Sequence, residues 1–277
     1  MARIHQLRRA VRTQWGPSCH QFLQLIHGAV IPLLFYGAEC WAGTLRSAQL
    51  LRQVDRVLSY AGRLSMGLES TTSTDATLKL ANIFPACFQI LQRLLRFMLR
   101  KHRATLTDPI MIPSRFYVSP ASIGTSWCRR LWKSVPTARV RKRIDQGLRT
   151  AWQRTWSNAT QGVALRRIFP TVSTHWLPPP SLNRGQATLF ARFLTGHCHV
   201  GSLALPWHDE DDFEECVCGG VLSRHHLCFE CPRLTEIREP LLRAVSHCPC
   251  PEVGWLVRWC PRILGTFLQK AQAFFGD

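Results

Sequence analysis

The sequence predicts a mainly α protein: a helical bundle, then a basic helical connector, then a small Cys/His-rich region. Three observations carry that prediction. Apolar residues recur at steps of three, four and seven between residues 19 and 103. Ser, Thr, Gly and Pro fall between those runs, where caps and breaks are needed. The stretch from Ala86 to Arg103 sorts cleanly into one basic and one apolar side.

From Cys19 to Ala29 the residues Phe22, Leu23, Leu25 and Ile26 keep helical spacing. Pro32 lacks an N–H and its ring collides with the preceding turn, so a break or kink is expected near Ile31. Leu45, Leu50, Leu51, Val54, Val57 and Leu58 form a second apolar set, which Gly62 to Gly67 should end. Ser70 to Thr74 supplies N-cap candidates, and Asp75 suits the first turn of a helix carrying Leu78 and Leu80. Pro85 then punctuates the chain.

In the helix expected from Ala86 to Arg103, Arg93, Arg96, Arg100 and Arg103 fall within about 80° of one another at about 100° per residue. Phe88, Leu91, Leu94, Leu95, Met98 and Leu99 take the opposite side. No acidic residue lies between Cys87 and Arg103, so pairing along the helix does not account for the stripe. The four arginines are therefore candidates for phosphate contact.

Asp108 to Thr125, with three prolines, reads as a loop. Beyond it, Trp127, Arg129, Arg130, Trp132 and Lys133 precede Arg139, Arg141, Lys142 and Arg143, then Trp152, Arg154 and Trp156. Such interleaving either stacks aromatics on bases or packs them on the inner side of an amphipathic helix. Pro178 to Pro180 forms a short rigid spacer. The expected divisions are 1–107, a helical domain; 108–180, a basic connector; and 181–277, a C-terminal region.

Charge follows the same division. Residues 1–180 hold 26 Lys and Arg against 6 Asp and Glu, a balance of +20, whereas residues 181–277 hold 9 against 11, a balance of −2. An arginine-rich excess of this kind concentrates polyanions and favours forked, salt-dependent phosphate contacts. Nucleic acid is the expected partner, with Arg141, Lys142 and Arg143 joining the helical stripe as candidate contacts. The longest apolar run, Gly28 to Ala38, is too short to span a bilayer, so no membrane partner is expected. Scattered cysteines behind a basic N-terminus without an apolar run point to a reducing, intracellular setting, nuclear or cytoplasmic.

The densest chemistry lies in Cys216-x-Cys218-x7-His226-x4-Cys231. Three thiolates and one imidazole form a common structural zinc set, and the spacing closes a tetrahedral site. Gly219 and Gly220 suit a chain that must fold back directly after two ligands. His225 could replace His226, and Cys228 could replace Cys231. His197 and His199 beside Cys198, and Cys248 with Cys250, His247 and Cys260, are weaker clusters. No phosphate-binding loop, nucleophile elbow or His-Glu-x-x-His pair is present.

The run Ile31-Pro-Leu-Leu-Phe-Tyr-Gly-Ala-Glu-Cys-Trp41 resembles the "P-x-L-x-YGAExW" segment that follows the polymerase palm in non-LTR retrotransposon reverse transcriptases. The resemblance continues through Leu51 to Arg56, Thr71 to Leu78 and Leu80 to Pro85, then Trp152 to Trp156, Phe169-Pro170 and Phe193 to His197. Cys216 to Pro232 resembles that family's C-terminal CCHC element. The resemblance implies a thumb-like helical domain in 1–107 that grips a template-primer duplex, and a knuckle that engages RNA or target DNA. It also implies that fingers and palm lie upstream of Met1. A palm needs paired aspartates that hold two metal ions, whereas the Asp211-Asp212 pair sits in an acidic loop. The expectation is therefore a nucleic-acid-binding chain that is not an enzyme by itself. A zinc-dependent protein-interaction module, or a decayed transposon-derived reading frame, is the alternative.

Overall fold

The computed structural model describes residues 13, 15–104, 137–173, 177–200, 203–204, 215–248 and 252–276. These residues are mainly helical, as the apolar spacing predicts.

Helix α1 (Cys19–Leu25) starts on a reciprocal cap, with Ser18 Oγ accepting from the Gln21 N–H and the Gln21 side chain accepting from the Ser18 N–H. The break expected near Ile31 is a change of helical register, not an end. A π-turn (Ile26–Val30) leads into α2 (Ile31–Leu34), and the Ile31 N–H reaches five residues back to the Ile26 carbonyl. In regular α geometry the Pro32 ring would meet the Gly28 carbonyl, and a wider turn relieves that clash.

A 3-10 turn (Ala42–Arg46) carries Leu45, and α3 (Ala48–Met66) follows from a Ser47 cap. It stops at Gly67, whose φ of 68° is left-handed and where a Cβ would collide with Thr188. Helix α4 (Thr74–Leu80) starts where the Ser/Thr run allows, with Ser73 Oγ accepting from the Ala76 N–H and Asp75 in the first turn. Helix α5 (Ala86–Ala104) is held at its start by Asp55 of α3, whose carboxylate accepts from the Ala86 N–H at 2.7 Å. Its apolar side, from Phe88 to Leu99, is buried as expected. Packed against α5 is α6 (Thr137–Ser157), which buries Val140, Ile144, Leu148, Trp152 and Trp156. The Trp156 indole donates to the Phe169 carbonyl at 3.0 Å, just past α7 (Val163–Ile168).

Helix α8 (Arg184–Thr195) carries the core across the proline spacer. Arg184 donates to the carbonyls of Leu64 and Ser65, and Arg192 donates to the Gly67 carbonyl at 2.8 Å and pairs with Glu69. Two arginines thus occupy carbonyls that α3 leaves open at its C-terminus. Among the described residues the helical pattern is interrupted by a small antiparallel pair, β1 (His199–Val200) and β2 (Leu203–Ala204). Among the described residues the C-terminal region also has α9 (Thr235–Val245), α10 (Val253–Trp259) and α11 (Pro261–Gly276), with α11 packed on α8, α9 and α10. Among the described residues no helix is long and apolar enough to cross a membrane. The Asp108–Thr125 loop, the Trp127–Lys133 cluster, the Asp211-Asp212 pair and Cys250 lie outside the described residues.

Candidate metal centre and basic surface

The chain enters the Cys/His segment through a single antiparallel bridge between Glu215 and Val221, which narrows the intervening residues to a tight loop. Inside it the Gly219 N–H donates to the Cys216 carbonyl at 2.7 Å, and the Cys216 N–H donates to the Gly220 carbonyl at 2.8 Å. Gly219 has a φ of 83°, which a side chain would strain. Gly220 is required for a different reason. A Cβ there would lie 2.7 Å from His226 Cε1 and 3.5 Å from Cys218 Sγ. The second half is a π-turn (His226–Glu230), started by Ser223, whose Oγ accepts from the His226 N–H at 2.9 Å.

These two pieces bring Cys216, Cys218, His226 and Cys231 together, with no pair of their ligand atoms more than 4.8 Å apart. Cys216 Sγ and Cys231 Sγ are 3.7 Å apart, and Cys218 Sγ lies 3.3 Å from His226 Nε2. Zinc–sulfur bonds of about 2.3 Å at tetrahedral angles would put two sulfurs about 3.8 Å apart. The set could hold a metal ion, and its soft donors suit zinc.

The structure separates the ligand choices that the spacing leaves open. His225 is exposed, packs at a tilt against the Phe229 ring at 4.9 Å and pairs with Glu230, and it is not in the cluster. Cys228 is fully buried in the core, where desolvation pushes its thiol up to about 12, and it is not in the cluster. Within the cluster, burial pushes Cys216 up to about 11, while the backbone N–H of Gly220 holds Cys218 below the usual thiol range.

The surroundings add groups that the sequence reading missed. Glu230 places a carboxylate oxygen 3.6 Å from His226 Nδ1, too far for a direct hydrogen bond but on the ring nitrogen opposite the Nε2 that faces Cys218. Its spacing, four residues after a histidine in a helical turn, was the available signal. Arg238 donates to the Cys231 carbonyl at 2.9 Å, and Arg224 donates to the Phe193 carbonyl, tying the segment to α9 and α8. Of the weaker His197 cluster, His197 is buried and its Nδ1 lies 3.3 Å from Thr71 Oγ1.

The basic candidates are not equivalent. Arg96 pairs with Asp145 of α6 at 2.9 Å, and Gln92 donates to the same carboxylate at 2.8 Å. The acidic partner missing along α5 is thus supplied by the facing helix. Arg93 is half-buried, with its guanidinium over the Phe35 ring at 5.7 Å. Arg100 is exposed, and the side chain of Arg103 lies outside the described residues. Arg141, Lys142 and Arg143 are all exposed on α6.

Against this geometry stands one sequence similarity. The chain is 25% identical over 258 residues to the retrovirus-related Pol polyprotein from type-1 retrotransposable element R1 4 of Nasonia vitripennis, covering 87% of this chain and 56% of that protein. This supports a retrotransposon-derived chain. It spans just over half the length of that relative. No family model matches the sequence, and no solved structure matches it.

Proposed function

We propose that this chain is a nucleic-acid-binding, C-terminal part of a non-LTR retrotransposon reverse transcriptase, without polymerase activity of its own. Residues 1–107 act as a thumb-like helical domain, 108–180 as a basic connector, and 181–277 carry a zinc knuckle whose ligands are Cys216, Cys218, His226 and Cys231. The partner is RNA or a template-primer duplex. The observation that carries this reading is the similarity to a retrotransposon Pol polyprotein along 87% of the chain. The +20 balance of residues 1–180 and the four-ligand cluster support it. Zinc, when bound, serves as a structural cross-link that joins the loop of Cys216 to the turn of His226.

Titrating the purified chain with single-stranded RNA and with a primer-template duplex at two salt concentrations tests the reading. Binding that weakens steeply with salt is expected, together with no primer extension in magnesium or manganese. Template-dependent extension by this chain, or no binding to either ligand, would overturn it.

A further inference from the structure

The two faces of α6 differ in a way that selects among nucleic acids. At about 100° per residue, Arg139, Lys142, Arg143, Gln146, Thr150 and Arg154 fall within about 120° of one another. All six are exposed. From Arg139 to Arg154 the face runs about 22 Å at 1.5 Å per residue. The aromatic residues of the same helix, Trp152 and Trp156, are turned inward and are 4% and 1% exposed. Phe84 closes over Trp152 at a ring distance of 5.1 Å, and Arg149 covers Phe84 in turn. Asp145 is the one acidic residue between Thr137 and Ser157, and it is paired with Arg96.

We infer that the exposed face of α6 is a tracking surface for the backbone of double-stranded nucleic acid, read without regard to sequence. The inference rests on the nucleic-acid reading above and names its substrate class. Proteins that hold single strands without sequence preference combine cations with aromatic platforms on which unpaired bases stack, at about 1–3 kcal/mol per base. Among the described residues this face has the cations and no platform. It offers Arg and Lys to phosphates, the Gln146 amide between them adds a donor, and Thr150, whose hydroxyl donates to the Gln146 carbonyl, adds no repulsion. Neither α5 arginine with a described partner belongs to that surface. Arg96 serves it indirectly by neutralising Asp145, and Arg93 is committed to Phe35.

The test uses the full chain and the triple variant Arg139→Gln/Lys142→Gln/Arg154→Gln, with fluorescence anisotropy of 20-base-pair duplexes of two unrelated sequences and of the matching single strands across a salt series. Zinc content and tryptophan fluorescence confirm that the variant folds, since all three side chains are exposed. Duplex should bind more tightly than single strand, both duplex sequences should bind alike, and the log–log salt slope for duplex should fall by about 3 in the variant. An unchanged slope, or tighter binding of single strands by the unaltered chain, would overturn this inference while leaving nucleic-acid binding standing. Absence of binding to any of these ligands would overturn both.

Discussion

The segment from Glu215 to Cys231 and the helices between Ala48 and Ala104 become ordered by different means. The helices bury long apolar sides: Leu58, Leu78, Ile90, Leu95 and Leu99 are each at most 2% exposed. Each fully buried Leu or Ile contributes about 1.5–3 kcal/mol, which sustains helices whose polar ends need only ordinary caps. The Cys/His segment has Leu222 and Leu227 as its small apolar anchors, and beside them it gathers three thiols and an imidazole, of which Cys218 is only half-buried. Those groups have little to gain from one another without an ion. The difference teaches that burial accounts for the helices, whereas under the proposed function the Cys/His segment would draw its stability from a bound ion.

The comparison is most sharply tested by metal removal. Chelation should strip the Cys/His segment of amide-exchange protection from Glu215 to Cys231, because structural zinc sites bind with about 10–16 kcal/mol that becomes folding free energy. Protection in α3 and α5 should persist, and equal loss in both regions would show that they are not separable in this way. Gly220→Ala should act as a partial chelation, since the new Cβ would press on the His226 ring. It should lower zinc affinity without changing the stability of the zinc-free protein.

The converse change is Trp156→Ala. It removes a buried indole and its hydrogen bond to the Phe169 carbonyl, and should cost about 3–5 kcal/mol in chemical denaturation. Zinc stoichiometry should stay the same. If the metal content fell with it, the Cys/His segment would depend on the helical core.

A smaller effect distinguishes the helical region by pH. Burial raises the Asp55 carboxyl from 3.8 to about 6, with nearby Asp75 adding to the rise against the hydrogen bond from the Ala86 N–H. The folded state therefore holds the proton more tightly than the unfolded chain. Stability should fall as pH rises from about 4 to about 6, by about 2–3 kcal/mol. Asp55→Asn keeps an acceptor for the Ala86 N–H and should flatten that slope, which urea titrations at pH 4.5 and 7 would measure. An unaltered slope would place its origin elsewhere.

The legible parts of this fold were those governed by local rules. Ser73, Asp75 and Gly67 mark helix ends in the sequence because capping depends on residues three or four apart. The arginine stripe of α5 and its apolar side were legible for the same reason. What the sequence could not display were contacts made across the fold. Asp145 neutralises Arg96 from 49 residues away, and Arg184 reaches the α3 carbonyls across more than a hundred. Pro32 was read correctly as a disturbance, but periodicity alone does not tell a helix end from the wider π-turn that relieves its ring. At the candidate metal centre, ligand types and spacing were visible, whereas the choice of His226 over His225 required the direction of each ring.

The central claim, a metal centre built by Cys216, Cys218, His226 and Cys231, is most directly tested by zinc stoichiometry in the purified chain and two single variants. One zinc per chain is expected in the unaltered protein, near zero in Cys218→Ser, and one again in Cys228→Ser. Zinc content that survives Cys218→Ser, or falls equally in Cys228→Ser, would contradict it.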